Sequence, residues 1–251
     1  MRFVPLPDTK FFFSIWETRR RDYAAFAEAN AETDKSWKSV RFGEHAVSPD
    51  SDHPVVCVNW NDAMAFCDWL TFTERRIGAI APGQSYRLPA DEEWSRAAGL
   101  QKESEATPSE RNRRVKGFVW GSLWPPPPRS GNLADTSARA LGVPCIPGYE
   151  DHYPTTAPVG SFPPNALGIH DLAGNVWEWC LDAYDKTERT RTLRGGAWNG
   201  AHPEFLMASS RSSFHPSVRL GIIGFRVVLT QPATVNAGAQ QGVSTGNRSN
   251  R

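Results

Sequence analysis

The chain has 251 residues, with 28 basic and 27 acidic side chains, so its formal net charge is only +1 at pH 7. This balance provides no general electrostatic attraction to nucleic acids or acidic membranes. Hydrophobic residues make up 39% of the chain and aromatic residues 11%, which excludes a chain that is disordered throughout and favours one large soluble domain or two small ones.

The first part of the chain predicts strands followed by helices. The apolar run 11–16 predicts a buried strand, and the stretch 17–30 contains helix formers with apolar residues at helical spacing. The run 54–58 predicts a second strand. A longer helix is predicted directly after Asn59, because this residue can cap it and because apolar residues at 63, 66, 67 and 70 then form one face.

The remainder of the chain predicts short elements and many loops. A short helix is expected after Pro89, since acidic residues at 91–93 suit a helix amino terminus. Beyond residue 101, proline and glycine recur too often for long elements. Short strands are predicted at 192–194 and 225–229. The segment 231–251 lacks large apolar residues other than Val and predicts a disordered tail, so the folded domain should span residues 1–230.

The four cysteines do not predict a zinc site. Cys57, Cys67, Cys145 and Cys180 are far apart and form no CxxC pair. Because their neighbours are largely apolar, we expect buried thiols that act as small hydrophobic residues.

Six phrases along the chain together resemble a known family. They comprise His53-Pro54-Val55-Val56 with Asn59-Trp60 and Ala65-Phe66-Cys67, Tyr86-Arg87-Leu88-Pro89 with Glu92-Glu93-Trp94, Ala157-Pro158-Val159 with Pro164-Asn165-Ala166-Leu167-Gly168, Gly174-Asn175-Val176-Trp177-Glu178-Trp179, Arg194-Gly195-Gly196-Ala197-Trp198, and Gly224-Phe225-Arg226. In this order they resemble the formylglycine-generating-enzyme domain, also called the sulfatase-modifying factor domain, a variant of the C-type lectin fold. The resemblance implies an α+β, loop-rich fold with short antiparallel strands and two to three helices.

Oxidase activity is one function that the resemblance offers, and the sequence argues against it. Oxidase members bind copper through two cysteines just after the Gly-Gly-Ser-Trp-like phrase, and thiolates suit Cu(I). In this chain Gly200 and about Phe205 stand at those positions, and no cysteine follows Cys180. We therefore expect no copper and no enzymatic activity, although a formylglycine-generating-type oxidase or accessory remains the alternative hypothesis.

A second group with this fold comprises the variable proteins of diversity-generating retroelements, which display hypervariable binding residues on a rigid support. The segment of about 197–223 resembles theirs, because fixed-looking residues alternate with positions of the kind that vary. The fixed-looking residues are Arg194, Gly195, Gly196, Trp198, Asn199, Arg211, Pro216, Arg219, Ile223, Gly224, Phe225 and Arg226. The expected variable, ligand-binding positions are Gly200, Ala201, His202, Phe205, Ser213, Phe214, His215, Ser217, Val218, Leu220, Gly221 and Ile222.

This comparison predicts a non-enzymatic protein that binds an unidentified protein or carbohydrate ligand, without nucleic-acid partners. Two alternatives stay open. The apolar members of the variable set could be ordinary core residues, or the domain could bind a ligand without being diversified.

No run approaches the roughly 20 apolar residues of a membrane span, and 1–5 lacks the apolar stretch of a signal peptide. We therefore expect a cytoplasmic monomer.

The resemblance also implies structural calcium, which requires six to eight oxygen ligands. Two groups of residues match the calcium-binding positions of relatives. The first group comprises Asn132, the Leu133 carbonyl, Asp151 and the Tyr153 carbonyl; the second comprises Asp171, Glu178 and the carbonyls of Gly174 and Val176. Of the two groups, the sequence favours the second. Alternatively, the carboxylates of Asp171 and Glu178 bond to loop amides without metal.

Overall fold

The computed structural model describes residues 1–231, so the predicted disordered tail lies, apart from Gln231, outside the described residues. In chain order the elements are β1 (Phe3–Pro5), β2 (Phe11–Ser14), α1 (Arg20–Ala29), a 3-10 turn (Ser36–Lys38), β3 (Arg41–Phe42), β4 (His45–Ala46), α2 (Trp60–Arg76), β5 (Tyr86–Arg87), α3 (Asp91–Ala97), α4 (Pro108–Arg111), a 3-10 turn (Thr136–Leu141), β6 (Trp177–Ala183), β7 (Arg191–Arg194), α5 (Pro203–Leu206), β8 (Ser212–Phe214), β9 (Ile223–Gly224) and β10 (Val228–Thr230). The fold is thus a loop-rich mixture of helices and short strands, as predicted.

Two four-stranded sheets organise the chain. The first has the order β1-β2-β10-β5 and is antiparallel throughout, so the two ends of the described chain share one sheet. The second has the order β8-β7-β6-β9. Here β6 pairs antiparallel with β7 but parallel with β9, through Trp177 opposite Ile223 and Glu178 opposite Gly224. This parallel pair departs from the expectation of antiparallel strands.

The three predicted helices are confirmed as α1, α2 and α3. At the start of α2, Asn59 Oδ1 accepts from the Asp62 amide at 2.9 Å, and Asp62 Oδ2 accepts from the Asn59 amide at 2.9 Å. The apolar face of α2 is buried. Its Phe66 ring packs against Tyr23 of α1 at 6.0 Å and against Phe225 at 5.3 Å between centroids. Aromatic side chains therefore join both helices to the carboxy-terminal part of the chain.

Several predictions about strands were wrong. The run 54–58 is buried but forms no strand, because Cys57 has a φ of +61° and its amide bonds to Leu220 instead of continuing a ladder. The predicted strand 225–229 is reduced to β10, which begins at Val228. The longest strand, β6, was not predicted; its first four residues are all buried, including the polar Glu178. Two single-turn helices, α4 and α5, were missed as well.

Candidate functional site

The segment 197–223 is attached to the second sheet at three places. It begins just after β7, returns as β8 to pair antiparallel with β7, and ends in β9 beside β6. A turn at Gly195-Gly196 starts it. A Cβ at Gly196 would lie 2.8 Å from Leu206 Cδ2, and its φ is +82°, so glycine is required where the chain bends around α5. The sheet therefore determines where this segment lies.

Side chains that reach into the protein interior or bond to helix α2 hold the segment 197–223 in place. Trp198 is 1% exposed, and its indole Nε1 donates to the Gly221 carbonyl at 3.3 Å, which ties the two ends of the segment together. Arg219 lies at its edge and bonds to Asp62 Oδ2 at 2.8 Å on α2. The fixed-looking residues are thus held both by the core and by helix α2.

A buried network of charges fixes the middle of the segment. The carboxylate of Asp91 accepts from Arg194 at 2.5 Å and from Arg211 at 3.0 Å, and Arg211 also bonds to Glu103 at 2.5 Å. Burial alone would raise the pKa of Asp91, but the neighbouring guanidiniums of Arg194 and Arg211 lower it to about 2. These charges are paired, as burial requires.

The twelve expected variable positions differ in exposure from their fixed-looking neighbours. None of the twelve is buried; five of them are well exposed and seven are partly exposed. Eight of the twelve fixed-looking residues are buried. Steric space is nevertheless limited at two variable positions, since a Cβ at Gly221 would lie 2.9 Å from Val40 Cγ1 and one at Gly200 would lie 3.0 Å from Leu206 Cδ2. The well-exposed positions are His202, Phe205, His215, Ser217 and Leu220.

Half of the variable positions line one pocket of about 260 Å³. Trp177 of β6, Pro144 and Ser212 also line it, and sequence reasoning had not placed these three residues at a site. No Asp, Glu, Lys, Arg or Cys lines the pocket, so it offers a neutral and largely apolar surface. The variable positions in its wall are Gly200, Ala201, His202, Phe205, Phe214 and Ile222.

The other half of the variable positions lies outside this pocket. Ser213 belongs to β8, beside Phe214, which lines the pocket. His215 Nδ1 lies 2.7 Å from Ser217 Oγ in the turn after that strand. Val218 follows in the same turn, with its amide donating to the His215 carbonyl at 3.0 Å. These residues widen the surface around the pocket.

The cysteines lie away from the pocket. Cys67 and Cys180 are buried as expected, whereas Cys57 and Cys145 are partly exposed, which corrects the prediction for those two. Burial raises the pKa of the Cys67 and Cys180 thiols, so both are protonated at neutral pH. All four are free thiols.

The first expected calcium group has features that fit a cation. Asp151 accepts from the Leu133 amide at 2.8 Å and from the Tyr153 amide at 2.9 Å, and burial raises its pKa to about 7. Asn132 donates to the Thr155 carbonyl at 2.8 Å, while its buried Oδ1 has no partner among residues 1–231. A buried oxygen without a donor and a poorly solvated carboxyl are features that suit an oxygen-binding cation.

The second group, which the sequence favours as the calcium site, fits calcium less well than the first. Both oxygens of Glu178 accept from Arg226, at 2.6 and 2.5 Å, and Trp94 donates to one of them at 2.9 Å. The Arg226 guanidinium therefore already supplies the positive charge. Gly174 and Val176 lie in the turn leading into β6, and Asp171 bonds to the Gly160 amide. Within residues 1–231, no three His, Cys, Asp or Glu side chains are grouped as metal ligands.

Curated relatives carry names from the formylglycine-generating family. A formylglycine-generating enzyme of Thermomonospora curvata is 33% identical over 153 residues, covering 58% of this chain and 39% of that protein. An inactive C-alpha-formylglycine-generating enzyme 2 of Bos taurus is 30% identical over 199 residues, covering 76% of this chain and 54% of that protein. The chain therefore spans about half the length of these relatives.

Solved structures and a family match agree with the fold. Treponema denticola variable protein 1 superposes with a TM-score of 0.55 at 20% identity, covering 92% of both chains. No helix within residues 1–231 is long and apolar enough to cross a membrane. The sulfatase-modifying factor enzyme 1-like domain matches residues 6–231. Since this match covers most of the chain, the protein belongs to the sulfatase-modifying factor enzyme 1-like domain family.

Proposed function

We propose that the protein is a non-enzymatic binding protein, and that residues 197–223 display its diversified ligand face as in retroelement variable proteins. The observation that carries the proposal is the division of this segment by burial. Trp198 and Arg211 are 1% and 2% exposed, whereas the twelve variable positions all reach the surface. A buried anchor with an accessible surface allows side chains to change without loss of the fold.

The composition of the pocket supports binding over oxidation. By the resemblance, the two copper-binding cysteines would fall at Gly200 and at about Phe205, and both residues line the pocket. Neither side chain can bind Cu(I), and the remaining thiols lie elsewhere. The enzyme names of several relatives favour the alternative of an oxidase, but one bovine relative is itself named inactive.

The catalytic alternative is tested with purified protein, Cu(I), oxygen and a cysteine-containing sulfatase peptide. We expect the peptide mass to stay unchanged over many hours, because no thiolate pair lies in the pocket. An active formylglycine-generating enzyme serves as the positive control. Conversion of the peptide cysteine to formylglycine above a protein-free control would overturn the proposal.

The diversified face is tested with two displayed libraries of this chain. One randomises the five well-exposed variable positions, and the matched library randomises five buried residues of the same segment and its flanks, such as Trp198, Arg211 and Phe225. We expect most members of the first library to fold and resist protease, and most members of the second library to be digested. Equal loss of folding in both libraries would exclude a diversified face in this segment.

A genomic observation would support diversification directly. It is a near-copy of the gene's 3′ end that differs at adenines and lies beside a reverse transcriptase.

Calcium bound by the first oxygen group forms a second part of the proposal. Asp151 and the partnerless Asn132 Oδ1 support it, together with the carbonyls of Leu133 and Tyr153. An ion here would stabilise the loop 132–153, where regular structure is limited to one 3-10 turn. Its role would be structural.

A further inference from the structure

A second pocket of about 260 Å³ lies away from the segment 197–223. Its walls combine apolar side chains, including the prolines 127, 128, 163 and 164, with the polar residues Arg129, Ser130 and Asn165, and none of its lining residues belongs to that segment. Trp120 and Phe162 supply aromatic surface, and Ile169 and Leu172 supply aliphatic surface. Asp171 is the one acidic residue of the lining.

The Asp171 carboxylate is buried, yet only one of its two oxygens accepts a hydrogen bond. The residue is 6% exposed, and its Oδ2 accepts from the Gly160 amide at 2.7 Å. No described residue donates to the other oxygen, Oδ1. Asp171 is one of the residues that line the pocket. Its backbone φ is +58°, a costly conformation for a residue other than glycine. The surrounding loops thus hold a carboxylate with one unbonded oxygen at the wall of a pocket that also contains aromatic and aliphatic side chains.

The charges beneath the pocket are not balanced. Arg226 is the guanidinium that faces the buried carboxyls of Glu17, Asp171 and Glu178, and it bonds to both oxygens of Glu178. Glu17 accepts from the Asn175 side chain at 3.0 Å through Oε2, while its buried Oε1 has no partner among the described residues. Arg226 thus faces three carboxyls, and toward Asp171 it donates to the backbone carbonyl, at 3.3 Å, and not to the carboxylate, so a further positive charge beside Asp171 Oδ1 would be stabilised.

We propose that this pocket binds a small organic ammonium ion, with its nitrogen at Asp171 Oδ1 and its apolar body between Trp120 and Phe162. Aromatic faces attract ammonium groups, and the apolar walls accommodate the hydrocarbon part. A bare divalent cation fits less well, because it needs six to eight oxygens and Asp171 is the one carboxylate of the lining. Arg129 is the one basic residue of the lining; its side chain is exposed, and its Nη2 donates to the Ser161 carbonyl at 3.4 Å.

The test is calorimetric titration of the full chain with 2-phenylethylammonium, using 2-phenylethanol as the uncharged probe of similar shape. We expect saturable binding of the ammonium ion and at least tenfold weaker binding of the alcohol. Asp171→Asn keeps an oxygen acceptor for the Gly160 amide but removes the charge, so it should weaken ammonium binding about tenfold or more. Asp8→Asn removes a carboxylate whose side chain is 90% exposed, and it should leave the affinity unchanged.

Each outcome decides the proposal. Absence of saturable binding, equal binding of the alcohol, or unchanged affinity in Asp171→Asn would overturn it, as would binding of calcium at this pocket in place of the ammonium ion. If Asp171→Asn does not fold by circular dichroism, Trp120→Ala replaces it, because Trp120 is partly exposed. That variant should bind the ammonium ion at least threefold more weakly, since it loses the cation–π contact; unchanged affinity there would likewise overturn the proposal.

Discussion

At the residue scale, burial separates side chains of similar chemistry into different roles. Leu220 is 37% exposed in the segment 197–223, whereas Trp198 is 1% exposed at its start. Both were assigned from their place in the sequence pattern, but only burial predicts what each substitution costs.

We expect Leu220→Ser to change the free energy of unfolding by about 0.5 kcal/mol or less, because the side chain is on the surface. Trp198→Ala should cost about 3 to 5 kcal/mol, since it leaves a cavity beneath the segment. Urea unfolding of both variants measures the difference. A loss of several kcal/mol in Leu220→Ser would mean that the expected variable position belongs to the core.

The buried carboxyl of Asp91 predicts a dependence of stability on acid. Its pKa of about 2 in the folded protein lies below the usual value of 3.8, so the folded form binds the proton less readily than the unfolded form. The stabilisation is complete above about pH 4 and should be lost as the pH falls toward 2.

The measurement for this effect is urea unfolding between pH 2 and 6. Asp91→Asn should be less stable at pH 6, because Arg194 and Arg211 lose their partner, and its stability should fall less steeply in acid. Glu44→Gln, at a side chain that is 99% exposed, is the control and should retain the steep fall. An equally steep fall in Asp91→Asn would contradict the assignment.

At the scale of elements, α2 depends on its amino-terminal cap. Asn59 and Asp62 bond reciprocally to each other's amides, which satisfies two backbone donors of the first turn. Asn59→Ala should therefore lower the free energy of unfolding by about 1 kcal/mol. Asn61→Ala, at an exposed position in the same turn, is the matched control and should stay near the parent value. Equal losses in both variants would show that the cap contributes nothing specific.

At the scale of the whole molecule, much of the middle of the chain consists of loops. An ion that binds these loops only in the folded protein should raise the free energy of unfolding. At a hundredfold excess over the dissociation constant, calcium would contribute about 2.7 kcal/mol. We expect calcium to raise the melting temperature and a chelator to lower it, as followed by calorimetry.

Substitutions in the two oxygen groups show which of them binds the calcium ion. Asp151→Asn should abolish the calcium response, whereas Asp8→Asn should retain it, since the Asp8 side chain is 90% exposed. Glu178→Gln should lower stability by disturbing the Arg226 ion pair but keep the response to calcium. Loss of the response in Glu178→Gln alone would return the ion to the second oxygen group. An identical melting curve in calcium and in chelator would show that calcium does not stabilise the folded protein.

The sequence by itself determined the features that depend on near neighbours or on a family pattern. The cap and apolar face of α2 could be predicted because both arise within a few residues of one another. The division of the segment 197–223 into fixed-looking and variable positions is a prediction from the resemblance, and the burial of its fixed-looking residues supports it. Its buried anchors, Trp198 and Arg211, hold the places expected for them.

Only the tertiary structure decided which distant groups meet. Nothing local in β6 specifies that it pairs in parallel with β9, or that Glu178 bonds to Arg226 instead of an ion. The run 54–58 has the composition of a strand, yet the left-handed backbone at Cys57 and the bond to Leu220 prevent one. Local pattern determines burial and helix periodicity, whereas pairing, pocket walls and the partner of a buried charge depend on contacts between residues far apart in the chain.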